Sequence, residues 1–374
     1  MESYERAAAI IDLKALRNNI RNIQSTLDKG TKVMGIVKAD AYGHGDVQVS
    51  RTLLDEGVDC LGVATPEEAA HLREAGISRP ILMLGAVLPS CYRGLIENDI
   101  DITICSVESG RLLSDEAVKL RKPAKVHIKL DTGMGRIGFP ATDETVDCIL
   151  AIKSMPNIVL EGIFTHFAAS DSSDKSYTLA QQQRFNYIIA ALSRKGIDIP
   201  VKHLANSGAI IDMPKTHSDL VRAGIILYGL YPSHQVDKKR LALTPVLSLK
   251  SRIVFIKDIN RGDCVSYGCT FKADKKIKVA TIPIGYADGY SRLLSNRGRV
   301  IINGQYAPII GRVCMDQFMV DISHIGDTYL GTEVTLIGRD GSCGITADEI
   351  ANIMGTINYE VTCLISKRVP RIYV

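Results

Sequence analysis

The sequence predicts an α/β protein with two domains: an amino-terminal (β/α)8 TIM-like barrel over residues 1–240 and a mostly β carboxyl-terminal domain over residues 241–374. In the first part, eight short apolar segments alternate with helical patterns, which is typical of a closed parallel barrel. After about residue 240 the apolar segments are β-rich and are separated by turn pairs such as Asn303–Gly304. A chain of 374 residues is long enough for two cores.

The predicted barrel elements follow the apolar pattern along the chain. A short strand over 7–11 and a helix with leucines and isoleucines on one face come first, and helices over 66–75 and 178–195 lie between later strands. The eight predicted barrel strands are 33–37, 60–63, 81–84, 102–105, 126–130, 160–165, 201–204 and 220–227.

The predicted elements of the second domain are shorter. A single helical pattern, over 346–354, interrupts them. The predicted strands are 247–255, 277–283, 299–302, 307–313, 317–322 and 333–338.

Composition excludes several classes of function. The net charge is only +4 and the basic residues are scattered, which argues against nucleic-acid binding. The nine cysteines are odd in number and form no C-x-x-C pair, so they predict free thiols in a reducing compartment, and no metal-ligand spacing is present. Residues 1–6 are acidic, and the apolar run behind them is far shorter than the roughly 18 residues of a membrane span. We therefore expect a cytoplasmic protein.

Chemistry is expected where barrel strands end. Lys38 ends an apolar strand in the string VMGIVKADAYGHG, residues 33–45, where partial desolvation favours a neutral amine that acts as nucleophile or base. A lysine that only extends from a strand end toward solvent is equally compatible with these residues. Other unusual polar residues at predicted strand ends are Lys129, Arg136, His166, Asn206, Ser207 and Arg222.

Two of these strings have the residues that bind anions. KLDTGMGRIG, residues 129–138, combines glycines that permit close backbone approach with Arg136, whose guanidinium suits a carboxylate. ANSG at 205–208 and RAGI at 222–225 combine a hydroxyl with glycine-adjacent amides, which can chelate a phosphate dianion. Taken singly, each is also compatible with an ordinary loop. His166 alone is more often a core histidine, and His44 and His203 have no functional pattern around them.

Together, the strings resemble the motifs of the alanine racemase family, in family order from residue 7 to residue 371. The resemblance implies that pyridoxal 5′-phosphate is held as a Schiff base on Lys38. It implies that Arg136 lies near the cofactor's phenolic oxygen and the substrate carboxylate, and that Lys129 is carbamylated and orients Arg136. His166 is then a hydrogen-bond relay between the catalytic tyrosine and Arg222, and Arg222 faces the pyridine nitrogen.

The remaining cofactor-binding residues come from the same resemblance. Asn206, Ser207, Gly224 and Ile225 form the phosphate cup, and Tyr42 and Tyr359 lie near the phosphate. Where the family commonly has proline, this chain has Ala223, and we expect no loss of function from the change.

The second domain supplies the opposite face of the site. VSYGCT at 265–270 resembles the family's second catalytic base, Tyr267, which the family takes from the partner subunit of a homodimer. Because an ordinary tyrosine is a weak base at neutral pH, it needs a cationic neighbour, for which His166–Arg222 is the candidate. Tyr286 resembles a gate residue. In the string GRVCMD, residues 311–316, the backbone at Met315 resembles the substrate-carboxylate site, flanked by Cys314 and Asp316.

The resemblance therefore implies a homodimeric isomerase that interconverts L- and D-alanine by two-base proton transfer at Cα, with Lys38 and Tyr267 as the bases. In a bacterium the D-alanine would serve peptidoglycan synthesis. A broader-specificity amino-acid racemase of the same fold is the closest alternative. A decarboxylase of this layout would place a carboxylate where Arg222 stands, and a non-catalytic cofactor carrier would lack the second domain.

Overall fold

The computed structural model describes residues 6–374, which divide into two compact units. The barrel unit comprises residues 16–41 and 46–244, and the strand unit comprises residues 6–15, 42–45 and 245–374. We keep the domain boundary at 240/241 as a proposal, but the strand over 7–11 belongs with the strand unit because it pairs with residues 247–251. Within residues 6–374, no helix combines the length and hydropathy needed to cross a membrane.

The barrel unit is built on eight parallel strands that follow the predicted apolar segments. Their order is β10-β2-β3-β4-β5-β6-β8-β9, and a two-residue strand, β7 (Phe139–Pro140), adds to β6. Hydrogen bonds from Asp219 N to Lys202 O and from Arg222 N to Ala205 O join the two ends of this order, so the barrel is nearly closed. The strands are β2 (Lys32–Ile36), β3 (Cys60–Val63), β4 (Ile81–Met83), β5 (Ile100–Ile104), β6 (Ala124–Asp131), β8 (Ile158–Phe164), β9 (Val201–His203) and β10 (Leu220–Ala223).

Helices alternate with these strands, and local sequence fixes where several of them begin. At the start of the helix over residues 66–74, the Thr65 hydroxyl accepts from Glu68 N and the Glu68 carboxylate accepts from Thr65 N, a capping box with proline at the first helical position. The helices are α1 (Leu13–Ser25), α2 (Lys38–Gly43), α3 (Asp46–Asp55), α4 (Pro66–Glu74), α5 (Tyr92–Glu97), α6 (Val107–Leu120), α7 (Asp143–Lys153), α8 (Ser176–Arg194) and α9 (Ser207–Asp212).

One barrel strand is shorter than predicted. The apolar run over 220–227 predicts a single strand, but β10 ends at Ala223. Gly224, with φ −112° and ψ −108°, breaks the strand, and a 3-10 helix follows at Ile225–Tyr228. All four residues of that helix are buried, so its sequence is as apolar as a strand interior and periodicity cannot separate the two.

The strand unit is a ten-stranded, largely antiparallel sheet with a separate β13–β14 hairpin. Its main order is β12-β15-β18-β17-β16-β19-β11-β1-β21, and β20 pairs with β19. The strands are β1 (Ala7–Ile11), β11 (Leu247–Arg252), β12 (Phe255–Ile259), β13 (Cys264–Val265), β14 (Phe271–Lys272), β15 (Ile277–Ile282), β16 (Arg299–Ile302), β17 (Gln305–Ile310), β18 (Phe318–Asp321), β19 (Glu333–Asp340), β20 (Cys343–Ile345) and β21 (Arg371–Tyr373).

Turn chemistry fixes the register of one hairpin in this sheet. Asn303 and Gly304 join β16 to β17 with φ of +49° and +70°, the signs that a two-residue type I′ turn requires. The predicted helix is present as α10 (Ala347–Met354), and a second, α11 (Asn358–Cys363), was not predicted. The predicted class, a (β/α)8 barrel followed by a mostly β region, is confirmed.

Candidate active site

Lys38 stands at the carboxyl end of β2, as predicted, on an unusual backbone turn. The four residues after it, 39–42, have φ between +52° and +54°, so this short helix is left-handed. None of them is glycine, and left-handed helical geometry costs an L-residue about 1–2 kcal/mol. Strain of this kind persists where surrounding contacts fix it, and it is concentrated at functional sites.

Two residues that the sequence analysis did not single out hold the segment around Lys38. Glu68 accepts from Ala39 N at 2.7 Å through one carboxylate oxygen and from Ala64 N at 2.8 Å through the other. Tyr228 donates its hydroxyl to Ile36 O at 2.8 Å. The capping residue of α4 therefore also anchors the first peptide after Lys38.

Arg222 is 4% exposed and lies inside the barrel, where its two terminal amino groups meet five acceptors. Nη1 donates to His203 Nδ1 at 2.8 Å and His203 O at 3.1 Å. Nη2 donates to the carbonyls of Thr165 and Leu204 at 2.8 and 2.9 Å and contacts His166 Nδ1 at 3.2 Å. Burial, and then the charge of Arg136, lowers the pKa of Arg222 to about 9. No described carboxylate pairs with it, and Nε takes no part in these bonds.

His166 lies among cations. Burial lowers the pKa of His166 well below its ordinary value, and the charges of Arg222, Arg136, Lys129 and Lys38 lower it further. Because guanidinium nitrogens only donate, His166 Nδ1 accepts from Arg222 and the ring proton sits on Nε2. The structure thus gathers the predicted lysines and arginines of the barrel around a neutral histidine.

Lys129 lies near the end of β6, and Arg136 lies in the loop that follows this strand. Lys129 is 2% exposed and donates to the carbonyls of Leu130 and Ile137 at 2.7 and 3.4 Å, while Arg136 is exposed. Burial, and then the charge of Arg222, lowers the pKa of Lys129 to about 8, so a substantial fraction of the amine is neutral near physiological pH. Asp131 accepts from Gly133 N and Gly135 N at 2.9 and 3.0 Å and thereby shapes the loop.

The predicted phosphate cup is assembled between α9 and the 3-10 helix after β10. Ser207 Oγ accepts from Gly224 N at 3.1 Å, and Asn206 caps α9 by accepting from Ala209 N at 3.2 Å. Among the described residues, none accepts the backbone N–H groups of Ser207, Gly208 or Ile225. Such converging N–H groups fit a phosphate.

In the strand unit, Tyr267 lies at the tip of the β13–β14 hairpin and is 71% exposed. Ser266 before it has φ +64°, and its hydroxyl donates to Arg312 O at 2.6 Å and lies 3.3 Å from Cys314 Sγ. The hairpin that carries Tyr267 is therefore tied to the 311–316 loop.

The same loop contacts the predicted gate segment. Tyr286 N donates to Cys314 O, and Ala287 N donates to Met315 O, both at 3.0 Å. Met315 is 52% exposed, and no described residue accepts its backbone N–H. Asp316 accepts from Arg368 Nη2 at 2.8 Å, an ion pair that was not predicted.

Tyr42 and Tyr359 are also brought together. Their ring centroids are 6.0 Å apart with planes tilted by 48°, and Tyr42 is buried. Burial raises the pKa of Tyr42. The predicted residues thus form two groups: Lys38, Lys129, Arg136, His166, Asn206, Ser207, Arg222, Gly224 and Ile225 in the barrel unit, and Tyr42, Tyr267, Tyr286, Cys314, Met315, Asp316 and Tyr359 in the strand unit.

Comparison with known proteins decides the family. The family model described as "Alanine racemase, N-terminal domain" matches residues 11–232, and "Alanine racemase, C-terminal domain" matches residues 246–373. The chain belongs to the alanine racemase family. It is 50% identical over 365 residues to alanine racemase of Clostridium perfringens, covering 98% of this chain and 94% of the relative.

Solved structures agree with this assignment. Alanine racemase of Clostridium difficile 630 superposes with a TM-score of 0.97 at 43% identity, covering 100% of this chain and 97% of that one. Histidine racemase from Leuconostoc mesenteroides has the same fold at 29% identity, with a TM-score of 0.88 and coverage of 100% and 99%. The family is one of isomerases, so the sequence-based prediction of a racemase fold and family is confirmed.

Proposed function

We propose that this chain interconverts L- and D-alanine with pyridoxal 5′-phosphate as cofactor, and that the active enzyme is a homodimer. The observation that carries the proposal is the guanidinium of Arg222, which is buried against His166 with no described carboxylate as partner, while the charge of Lys38 also acts on His166. Family membership and the similarity to alanine racemases support the substrate.

The donor groups of the barrel unit fit the cofactor. The free N–H groups of Ser207, Gly208 and Ile225 suit a phosphate, and Lys38 supplies an amine at the strand end. Arg222 Nε–H is the donor left over for an acceptor ring nitrogen. Bound there, pyridoxal phosphate would supply an electron-withdrawing ring that acidifies the Cα–H of the attached amino acid.

Each protein group then has a distinct task. Lys38 Nζ and Tyr267 Oη would remove and return the Cα proton on opposite faces, because inversion needs one acid–base group on each side. Arg222 has only donors, so it would hold the ring nitrogen without giving it a proton, which limits the electron demand of the ring and favours rapid reprotonation of Cα. Arg136 and the backbone N–H of Met315 would bind the substrate carboxylate.

Three more roles are proposed from the resemblance and from the positions of the side chains. Tyr42 and Tyr359, in ring contact, would lie near the phosphate. Tyr286 and Tyr359 would restrict the size of the substrate side chain, with Cys314 and Asp316 supporting the segment around Met315.

The test of the reaction is to incubate the protein with pyridoxal phosphate and L-alanine in deuterated water, beside the Lys38→Ala variant. We expect deuterated D-alanine from the wild type only. Loss of the carboxyl group would instead indicate a decarboxylase, and unchanged alanine would contradict the proposal. A panel of amino acids that includes L-serine and L-histidine tests the alternative of a broader-specificity racemase. Histidine is included because a histidine racemase has the same fold.

The proposed dimer can be tested separately, because each active site would contain residues of both subunits. Tyr267 is largely exposed on its own hairpin, which suits a residue that completes the site of a second copy. Lys38→Ala and Tyr267→Phe proteins, each inactive alone, should regain activity when subunits exchange. In a random mixture half the dimers are mixed and hold one intact site, so about one quarter of wild-type activity is expected. Failure to recover activity, despite exchange seen by mass spectrometry, would place Tyr267 in its own subunit's site.

We further propose that Lys129 is carbamylated. Carbamate formation needs a neutral amine, and the lowered pKa of Lys129 supplies one. A carbamate would also replace repulsion of Arg136 by attraction. Native mass spectrometry at neutral pH should find a carbon dioxide adduct that Lys129→Ala lacks, and an unmodified mass would count against it.

A further inference from the structure

Beyond Arg222, the barrel interior holds two histidines that the proposed reaction does not use. His127 on β6 is 5% exposed and His203 on β9 is fully buried. His203 Nε2 lies 3.0 Å from His127 Nδ1, and His203 Nδ1 lies 2.8 Å from Arg222 Nη1. Three side chains from three strands thus form one continuous line of hydrogen bonds.

The direction of this line follows from Arg222 alone. A guanidinium has only donors, so His203 Nδ1 must accept and the proton of His203 must be on Nε2. That N–H then donates to His127 Nδ1, which leaves the proton of His127 on its own Nε2. One arginine therefore fixes the tautomers of two rings in series.

These hydrogen bonds require both histidine rings to be neutral, and the pKa values of the two rings meet this requirement. Burial, and then the charge of Arg222, lowers the pKa of His127 to about 4 and that of His203 well below its ordinary value. His127 and then Lys129 lower the pKa of His203 further, and no described carboxylate acts on either ring. A protonated His203 would have no lone pair to accept from Arg222.

Packing holds the rings in place. Phe164 stacks on His203 with centroids 4.6 Å apart and planes within 6°, and Arg222 lies 5.5 Å from the same phenyl ring. His127 fits only because residue 162 is glycine, since a Cβ there would come within 2.3 Å of His127 Nδ1. These contacts fix the planes of both rings.

We propose that His203 and His127 are positioning residues for Arg222, joined to it by a one-directional chain of hydrogen bonds from Arg222 through His203 to His127. This chain of hydrogen bonds sets the rotation of the Arg222 guanidinium and hence the direction of its free Nε–H. Its consequence for catalysis rests on the proposed function, whereas the tautomers do not. Lys38 is among the charges that act on His166, but it is not among those that act on His203 or His127.

Two substitutions of His203 separate the two ends of the chain. Asn places an oxygen near the position of Nδ1, so His203→Asn keeps the acceptor for Arg222 and loses the donor to His127. Gln places an amide near the position of Nε2, so His203→Gln keeps the donor to His127 and loses the acceptor for Arg222. The pair serves as its own matched control because both variants put a neutral amide in the same cavity.

The first measurement is nitrogen NMR of the full-length holoprotein with labelled histidine, which reports which ring nitrogen carries the proton. We expect His127 and His203 as Nε2–H tautomers in the wild type. His127 should keep this tautomer in His203→Gln and become a mixture in His203→Asn. An Nδ1–H tautomer at either residue in the wild type would overturn the proposal, whether or not the protein racemises alanine.

The second measurement is steady-state racemisation, with thermal stability measured alongside. Because a hydrogen bond to a charged group is lost, kcat should fall about 10- to 100-fold in His203→Gln with little change in KM, while His203→Asn stays within about fivefold of wild type. The NMR and kinetic effects should therefore appear in opposite variants. Equal losses of kcat in both variants would indicate a merely structural role and overturn the positioning proposal.

Discussion

Two pairs of site residues, one pair in each unit, differ sharply in their surroundings. In the barrel unit, Lys129 and Arg222 are 2% and 4% exposed and are hydrogen-bonded to carbonyls and ring nitrogens. In the strand unit, Tyr267 and Met315 are 71% and 52% exposed. The hairpin segment that carries the tyrosine is held by its neighbour Ser266, whose hydroxyl donates to Arg312 O.

The difference indicates two ways of preparing a site. A buried polar group must have its partners built into the fold, because leaving it unpaired in a low-dielectric interior is costly. Its orientation is therefore fixed before any ligand binds, which is the condition for electrostatic preorganisation. An exposed group carries no such cost, and its surroundings can be supplied later. That is what the proposed dimer requires of Tyr267.

The largest expected effect on folding comes from removing the buried charge. Arg222→Leu leaves three carbonyls and two histidines without their donor, and we expect the free energy of unfolding to fall by about 3–5 kcal/mol. Arg136→Leu, on the exposed loop, should change it by less than about 0.5 kcal/mol. Urea unfolding of both variants measures this. Equal losses would show that burial does not distinguish the two arginines.

Tyr267→Phe should show the reverse behaviour. We expect racemisation of alanine to slow by about 10²- to 10⁴-fold because an acid–base group is lost. The free energy of unfolding should stay within about 0.5 kcal/mol, since the ring is mostly solvent-exposed. Tyr329→Phe, at an equally exposed tyrosine (68%), is the control and should leave both quantities unchanged. A stability loss in Tyr267→Phe alone would mean that its hydroxyl has a structural partner.

Acid should destabilise the barrel through His127. Its folded pKa of about 4 lies below the ordinary 6.5, so it stabilises the fold above pH 6.5 and this contribution is lost as the pH falls toward 4. The full shift corresponds to about 3 kcal/mol. Urea unfolding at pH 7 and pH 4 should show a smaller acid loss for His127→Asn, which keeps an acceptor and does not titrate. Parallel losses in the two proteins would mean that His127 titrates normally.

The smallest effect tests the close packing around His127. Gly162→Ala should cost about 1–3 kcal/mol, because the new methyl group meets a ring that cannot move. Gly94→Ala is the matched control: it lies in α5 with no atom within 4 Å of the new Cβ, and it should stabilise by about 0.5–1 kcal/mol. Thermal unfolding of both should therefore shift in opposite directions. A stable Gly162→Ala protein would show that the His127 ring can relocate.

Sequence reasoning reached the architecture because apolar periodicity is a local signal. It predicted the strand before Lys38 and the turn at Asn303–Gly304 from neighbouring residues alone. The left-handed turn after Lys38 could not be predicted, because residues 39–42 contain no glycine, the residue type that usually indicates positive φ. A contact with Glu68, which follows in a different βα unit, accompanies that turn.

The chain of hydrogen bonds from Arg222 through His203 to His127 was not predicted, for a similar reason. The two rings are 76 residues apart, and each sits in a strand where a histidine reads as an isolated polar residue. Only strand order places β6, β9 and β10 so that their inward side chains meet. The signal that was available is the short alternation of polar and apolar residues around His127 and Lys129, which places both side chains on the same face of the strand.

Three of the five acceptors around Arg222 are backbone carbonyls, and this limits how the site can be altered by mutation. A main-chain oxygen is present whatever side chain its residue carries, so no single substitution nearby can remove the demand for a donor at this point. Substitution of the neighbouring side chains would therefore leave these three acceptors in place around residue 222.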